Sequence, residues 1–213
     1  MNARQLLSEV KSHFESFDEN FALSRLQATH NDILRNIRVR PDETAEMTSM
    51  VAGTSEYDTP TGVLRIWEAA WYDSATDHRP LTPRSVDELD DQTKGVWRRA
   101  DSGDPMYYDE RGAKIIFYPA PDTATSAGYP KAVLYVSKTQ TLTMATSLPD
   151  VPDWDAWLYW TCERYAASKA PQMVQMFHVL RVDATSRLQA YSQGKIARVK
   201  PRIQPAVPRI NVT

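Results

Sequence analysis

Apolar residues recur at three- and four-residue spacing near both ends of the chain and at two-residue spacing in its middle, and this change of period divides the molecule. At the start, Leu6, Leu7, Val10, Phe14 and Phe17 follow helical spacing behind Asn2, whose side chain suits a helix cap. Ser16 and Glu19 stand in capping-box register before a second stripe of Leu23, Leu26, His30, Ile33, Leu34 and Ile37, which Pro41 ends. In the second half, Asp153 is placed to cap a helix carrying Trp154, Trp157, Leu158, Thr161, Cys162, Tyr165 and Ala166, the strongest helical stripe of the sequence. Pro171 opens a fourth helix with Met173, Met176, Phe177, Leu180, Ala184, Leu188 and Tyr191 on one side, and Gly194 ends it.

The middle of the chain reads as strands. Its clearest one is Ala113 to Tyr118, rich in β-branched and aromatic residues and stopped where Pro119 and Pro121 withhold backbone donors. Arg111-Gly112 supplies a turn to a hairpin partner over Pro105 to Tyr108. Further strands are expected over Met47 to Ala52, Val63 to Tyr72 and Lys131 to Val136, with a turn at Gly53-Thr-Ser and a loop over 77–83. Strict alternation along Val63 to Tyr72 sets Trp67 and Trp71 on one face and Leu64 and Ile66 on the other. Ser85 to Arg99 reads as a short helix with acids early (Asp87, Glu88, Asp90, Asp91) and Arg98, Arg99 late, as the helix dipole favours. The expected fold is α+β: a bundle of N- and C-terminal helices (1–40 and 150–195) with an inserted antiparallel β module (44–146), together one domain over 1–195.

Beyond Gly194 the character changes again. Three prolines favour an extended course over 196–213, and after Asp183 the chain carries Lys195, Arg198, Lys200, Arg202 and Arg209 but no acid. Ile196, Val199, Ile203, Val207, Ile210 and Val212 give this basic tail more β-branched residues than disordered ends carry, which points to docking on a partner. Its candidate acceptors are the acidic helix start at Asp87 to Asp91 of a neighbouring subunit and a rim on another protein.

Composition narrows the function classes. The 213 residues carry a net charge of -2, which argues against a general nucleic-acid or anionic-membrane binder. The single cysteine, Cys162, forbids an intramolecular disulfide framework, suits synthesis in a reducing cytoplasm, and reads as a core thiol. No apolar stretch approaches a membrane span, and the first residues have no signal-peptide core. Nucleophile elbow, Walker loop, dinucleotide fingerprint, zincin and Cys-x-x-Cys patterns do not occur, so neither catalytic residues nor a metal or cofactor are expected. His30, on an apolar stripe without neighbouring ligands, reads as a core histidine; Asp101 and Asp104 read as a turn in Asp-Ser-Gly-Asp-Pro. A small hydrolase using such an acid pair, or a nucleic-acid-binding module using the basic run, stands as the alternative class.

The order of motifs resembles the head-to-tail adaptor (connector) proteins of tailed bacteriophages. The resemblance rests on two short N-terminal helices, then Gly53-Thr-Ser-Glu-Tyr-Asp-Thr-Pro60, where Thr59 replaces the family's leucine, then Ile115-Ile-Phe-Tyr-Pro-Ala-Pro-Asp122, a Tyr-bearing strand, and Leu148-Pro-Asp150 before the last helices. It covers most of residues 1–195 and leaves out the tail. It implies a structural virion protein of the neck: a homo-oligomeric ring, a dodecamer in such families, that binds the portal, meets tail or nozzle proteins, and lets DNA pass without sequence specificity. Subunits in a ring meet through unlike flanks, so large aromatics beyond those a small core needs are expected at interfaces. The interface candidates are Tyr159 and Trp160, off the core stripe of their helix, Trp67 and Trp71, which share one strand face, and Arg198, Lys200 and Arg202 of the tail.

Overall fold

The computed structural model describes residues 1–40, 43–85, 87–89, 102–149, 151 and 154–194. It is α+β, with helices and antiparallel sheets. Two compact units emerge: one takes Met1–Asp42 and the chain from Thr139 onward, and the other is Glu43–Lys138.

The first unit holds helices α1 (Ala3–Ser12), α2 (Glu19–Asn36), α3 (Asp155–Lys169) and α4 (Val174–Ser192), the last preceded by a single 3-10 turn at Pro171–Met173. Asn2 does cap α1, in a full capping box with Gln5. The helix ends at Ser12, so Phe14 and Phe17 enter the bundle from the connecting loop. They pack on Tyr165, with ring centroids 4.6 and 5.4 Å away. The cap of α2 is Asp18, whose carboxylate accepts from Phe21 N, and not Ser16, whose carbonyl instead accepts from the Tyr165 hydroxyl. That hydroxyl also accepts from Asp18 N at 2.8 Å, so one tyrosine of α3 fixes the start of α2.

Helix α3 touches α1, α2 and α4 and is the axis of this unit. Trp157, Leu158, Thr161, Cys162, Tyr165 and Ala166 are buried, as their spacing predicts, and Ala156 and Tyr159 join them because neighbouring helices cover more than one stripe. Asp153 lies outside the described residues; the N-cap position belongs to Trp154, which makes no side-chain cap bond. His30 is fully buried and its Nδ1 accepts from Trp157 Nε1 at 3.2 Å. Burial lowers its pKa from 6.5 to about 4, so it is a neutral core histidine. Burial also raises the Cys162 thiol, with the Glu9 carboxylate adding to it, which leaves the thiol protonated and inert.

The second unit is a sandwich of two sheets. Strands β1 (Glu43–Ser49), β3 (Val63–Tyr72), β4 (His78–Pro80) and β8 (Lys131–Lys138) form one in the order β1-β8-β3-β4; β2 (Glu56–Asp58), β5 (Thr82–Pro83), β6 (Tyr107–Arg111) and β7 (Lys114–Tyr118) form the other in the order β2-β7-β6-β5. All pairings are antiparallel except the two-residue β5·β6 pair. Ile66, Ala69, Trp71, Leu134 and Val136 of one sheet meet Tyr108, Ile115 and Phe117 of the other in a single core. The β6–β7 hairpin turns through Gly112 at φ 63°, where a glycine is favoured, and Pro119 follows directly on β7.

Several strand expectations are corrected. The first strand runs over Glu43–Ser49 and not Met47 to Ala52, because it pairs with β8 residue for residue while Met50 N is diverted to the Thr125 hydroxyl and Val51 N to that of Tyr57. The loop expected over 77–83 contains β4 and β5. Unit two ends at Lys138 and not near 146, since Gln27 of α2 accepts from Leu142 N and donates to Gln140 O. Of the helix expected over 85–99, residues 87–89 are helical, with the Ser85 hydroxyl accepting from Glu88 N; residues 90–101 lie outside the described residues.

Candidate interaction surface

Strict alternation fails in β3. Its register against β8 shifts between Val63 and Arg65 and again between Ile66 and Glu68, so Leu64 and Trp67 are each an extra residue in a bulge. Each bulge moves the following residues to the opposite face. Ile66, Ala69 and Trp71 therefore point into the core, and Trp67 lies on the outer face.

This separates the four aromatic candidates. Trp71 is 1% exposed, with its indole N–H donating to Asp73 Oδ1 at 2.6 Å, so it offers no surface. Tyr159 is buried in the helical unit. Trp67 is half-buried: Nε1 donates to Ser137 Oγ at 2.7 Å and Arg65 lies 5.3 Å above its ring. Trp160 is also half-buried, with the guanidinium carbons of Arg164 and Arg181 at 5.6 and 5.0 Å from its ring. Arg198, Lys200 and Arg202 lie outside the described residues.

The setting of Trp160 is built. Arg164 pairs with Asp32 of α2, which also meets Arg35 at 3.7 Å. Arg181 pairs with Glu163 Oε2 at 2.5 Å, and His178 Nδ1 lies 2.9 Å from Glu163 Oε1. The indole is thus held by two cations whose own positions are fixed by carboxylates on α2 and α3, and tryptophan and arginine fixed in this way are what interface energetics favour. Sequence reading found Trp160 and missed its frame, though Trp160 and Arg164 at i, i+4 on a helix were a visible signal.

A second cluster, also missed, lies on the outer face of the β1-β8-β3-β4 sheet. Tyr72 and Tyr135 share a hydroxyl contact of 3.2 Å, Tyr72 stacks on His78 at 5.0 Å, and Lys131 sits 4.5 Å from the Tyr129 ring and 3.5 Å from Met47 Sδ. The hydrogen bond to Tyr72, then burial, then the charges of Tyr72, Glu68 and Glu43 push Tyr135 up to about 12, so it stays a neutral phenol.

Nothing among these groups resembles an activated nucleophile or an acid–base pair. Among the described residues no three His, Cys, Asp or Glu side chains gather as a metal site. Asp104 pairs with Arg79 at 2.8 Å, and Asp101 lies outside the described residues. A shallow cleft of about 360 Å³ has Arg65, Arg84, Glu88, Asp109 and Glu110 in its wall, charges of both signs unlike the apolar lining of small-molecule pockets. No helix among the described residues is long and apolar enough to cross a membrane.

No curated protein matches the chain at a significant level. The family described as SU10 adaptor protein matches over residues 1–206, a span that takes in both units and reaches past α4 into the basic segment. The chain belongs to the SU10 adaptor protein family and is a phage structural adaptor of the head-to-tail class that its motif order resembles.

Proposed function

We propose that the chain assembles as a dodecameric ring in the neck of the virion, where it joins the portal to the tail or nozzle proteins and extends the channel through which DNA passes. Membership of an adaptor family over residues 1–206 carries this reading. The surface chemistry supports it: half-buried tryptophans backed by arginines occur in both units, and a ring subunit needs unlike contact surfaces. The role calls for no cofactor and no catalysis, and DNA passage requires no base-specific contacts.

Assembly is templated in this reading. The subunit carries a net charge of only -2, stays monomeric or in small oligomers alone, and closes into a ring on the portal because binding there shifts the equilibrium. Sedimentation of the purified chain with and without the portal of its own virus tests this. A shift into one large complex of constant mass is expected; a chain that never co-sediments with that portal overturns the reading.

A further inference from the structure

Helix α4 turns one row of side chains to solvent, and that row is uncharged. Gln175, Val179, Val182, Ser186 and Gln189 are all exposed, Val179 at 61% and Val182 at 48%, and they follow one another at intervals of four, three, four and three residues. That spacing is the seam of a paired helix, in which each side chain inserts among those of a facing helix. A solvent face is ordinarily charged, as on α1, which exposes Arg4, Glu9 and Lys11. In α4 the cations lean the other way: Arg181 pairs with Glu163 and Arg187 with Asp155, both carboxylates of α3, at 2.5 and 2.8 Å. The helix thus buries Phe177, Ala184 and Leu188 on one side and keeps a second, neutral stripe on the opposite side.

We propose that this stripe receives the same stripe of a second copy of the chain, with the two α4 helices antiparallel. In that direction the row is complementary to itself. A two-fold axis level with the Leu180–Arg181 peptide sets Val179 against the partner's Val182 and Gln175 against the partner's Ser186, so apolar meets apolar at the centre and amide meets hydroxyl on either side. Antiparallel helices also bring opposite dipole ends together. Asp183, beside the stripe, is held by Arg187 at 3.2 Å and lies about 7 Å along the axis from its own copy, so the seam opposes no like charges directly. The 19 residues of α4 give a contact strip about 28 Å long and about 10 Å wide, smaller than the ~800 Å² per partner of a stable complex, so the pair is reversible. A symmetric contact of this kind stops at two copies; it describes the free chain and stands apart from the ring reading.

Disulfide trapping with full-length chains tests it. Chains carrying Gln175→Cys and chains carrying Ser186→Cys are oxidised gently at high concentration, each alone and then mixed; the native Cys162, fully buried, stays silent. The antiparallel register predicts a linked dimer in the mixture at several-fold the yield of either variant alone, because position 175 faces 186 across the seam and lies about 16 Å along the axis from its own copy. The reverse result, each variant linking to itself, means parallel helices and overturns the proposal. Equal yields in all three samples, or no link in any, overturn it too, the last leaving the stripe to a different protein. Val182→Glu, added to both chains, brings two carboxylates into the centre of the seam while placing a good helix former at an exposed position. The melting midpoint should hold and the mixed yield should fall at least about fivefold. An undiminished yield from the folded variant overturns the contact.

Discussion

His30 and Trp157 concentrate the energetics of the helical unit in one contact. Trp157 is fully buried, with Trp154 5.8 Å away and its indole N–H committed to His30. Trp157→Ala should cost about 3–5 kcal/mol in urea melts, because the cavity is added to the lost transfer energy and a histidine nitrogen loses its donor. The histidine sets a pH dependence whose sign follows from its lowered pKa. Between 6.5 and about 4 the unfolded chain binds a proton that the folded one refuses, so stability is complete above that window and falls as the pH descends through it. The loss is on the order of 3 kcal/mol by pH 4, and His30→Phe should flatten this acid arm while lowering stability at pH 7 through the orphaned indole N–H. An unchanged slope between pH 7 and 4 in the variant would place the acid sensitivity elsewhere. Tyr165→Phe should cost about 1–2 kcal/mol, since Asp18 N and Ser16 O both lose a partner.

Elements were legible in proportion to how local their causes are. The stripe of α3 was readable because helical period and burial coincide from Trp157 to Ala166, and β7 because its residue types and Pro119 agree. The span Val63 to Tyr72 was readable too, yet its faces were not: a bulge at Trp67 is specified by pairing with β8, and no residue type announces it. The same non-local cause moved the first strand to Glu43–Ser49, whose glutamates and threonines look unlike a strand until β8 is beside them. For the candidate surface, Trp71 and Tyr159 were misplaced for this reason, one by the bulges and one by a neighbouring helix that covers a second stripe. What remains accessible is Trp67 and Trp160. Trp160→Ala should cost only about 1–2 kcal/mol of stability, the worth of two cation–π contacts, while weakening assembly at least about tenfold. Equal assembly by the variant and the parent chain in sedimentation would remove Trp160 from the interface.

At the scale of the whole molecule, two units and a basic segment make separable predictions. Deleting residues 196–213 should leave the melting midpoint where it is, since each described unit has its own core without them, and should weaken assembly on the portal in a salt-dependent manner. The chain leaves the helical unit once, after α2, and returns at Thr139, so α1 and α2 wait for partners that lie beyond the whole sandwich. On a ribosome the interval between Asn36 and the arrival of α3 is on the order of 10 s. During it α2 has α1 beside it but lacks α3, against which it also packs, whereas every strand of the sandwich is synthesised before α3 begins. The β unit therefore completes first, and the N-terminal helices spend their early life as a sticky, unfinished surface: a released chain truncated before Tyr165 should keep the strands of the β unit resistant to proteases and bind chaperones through its first 40 residues.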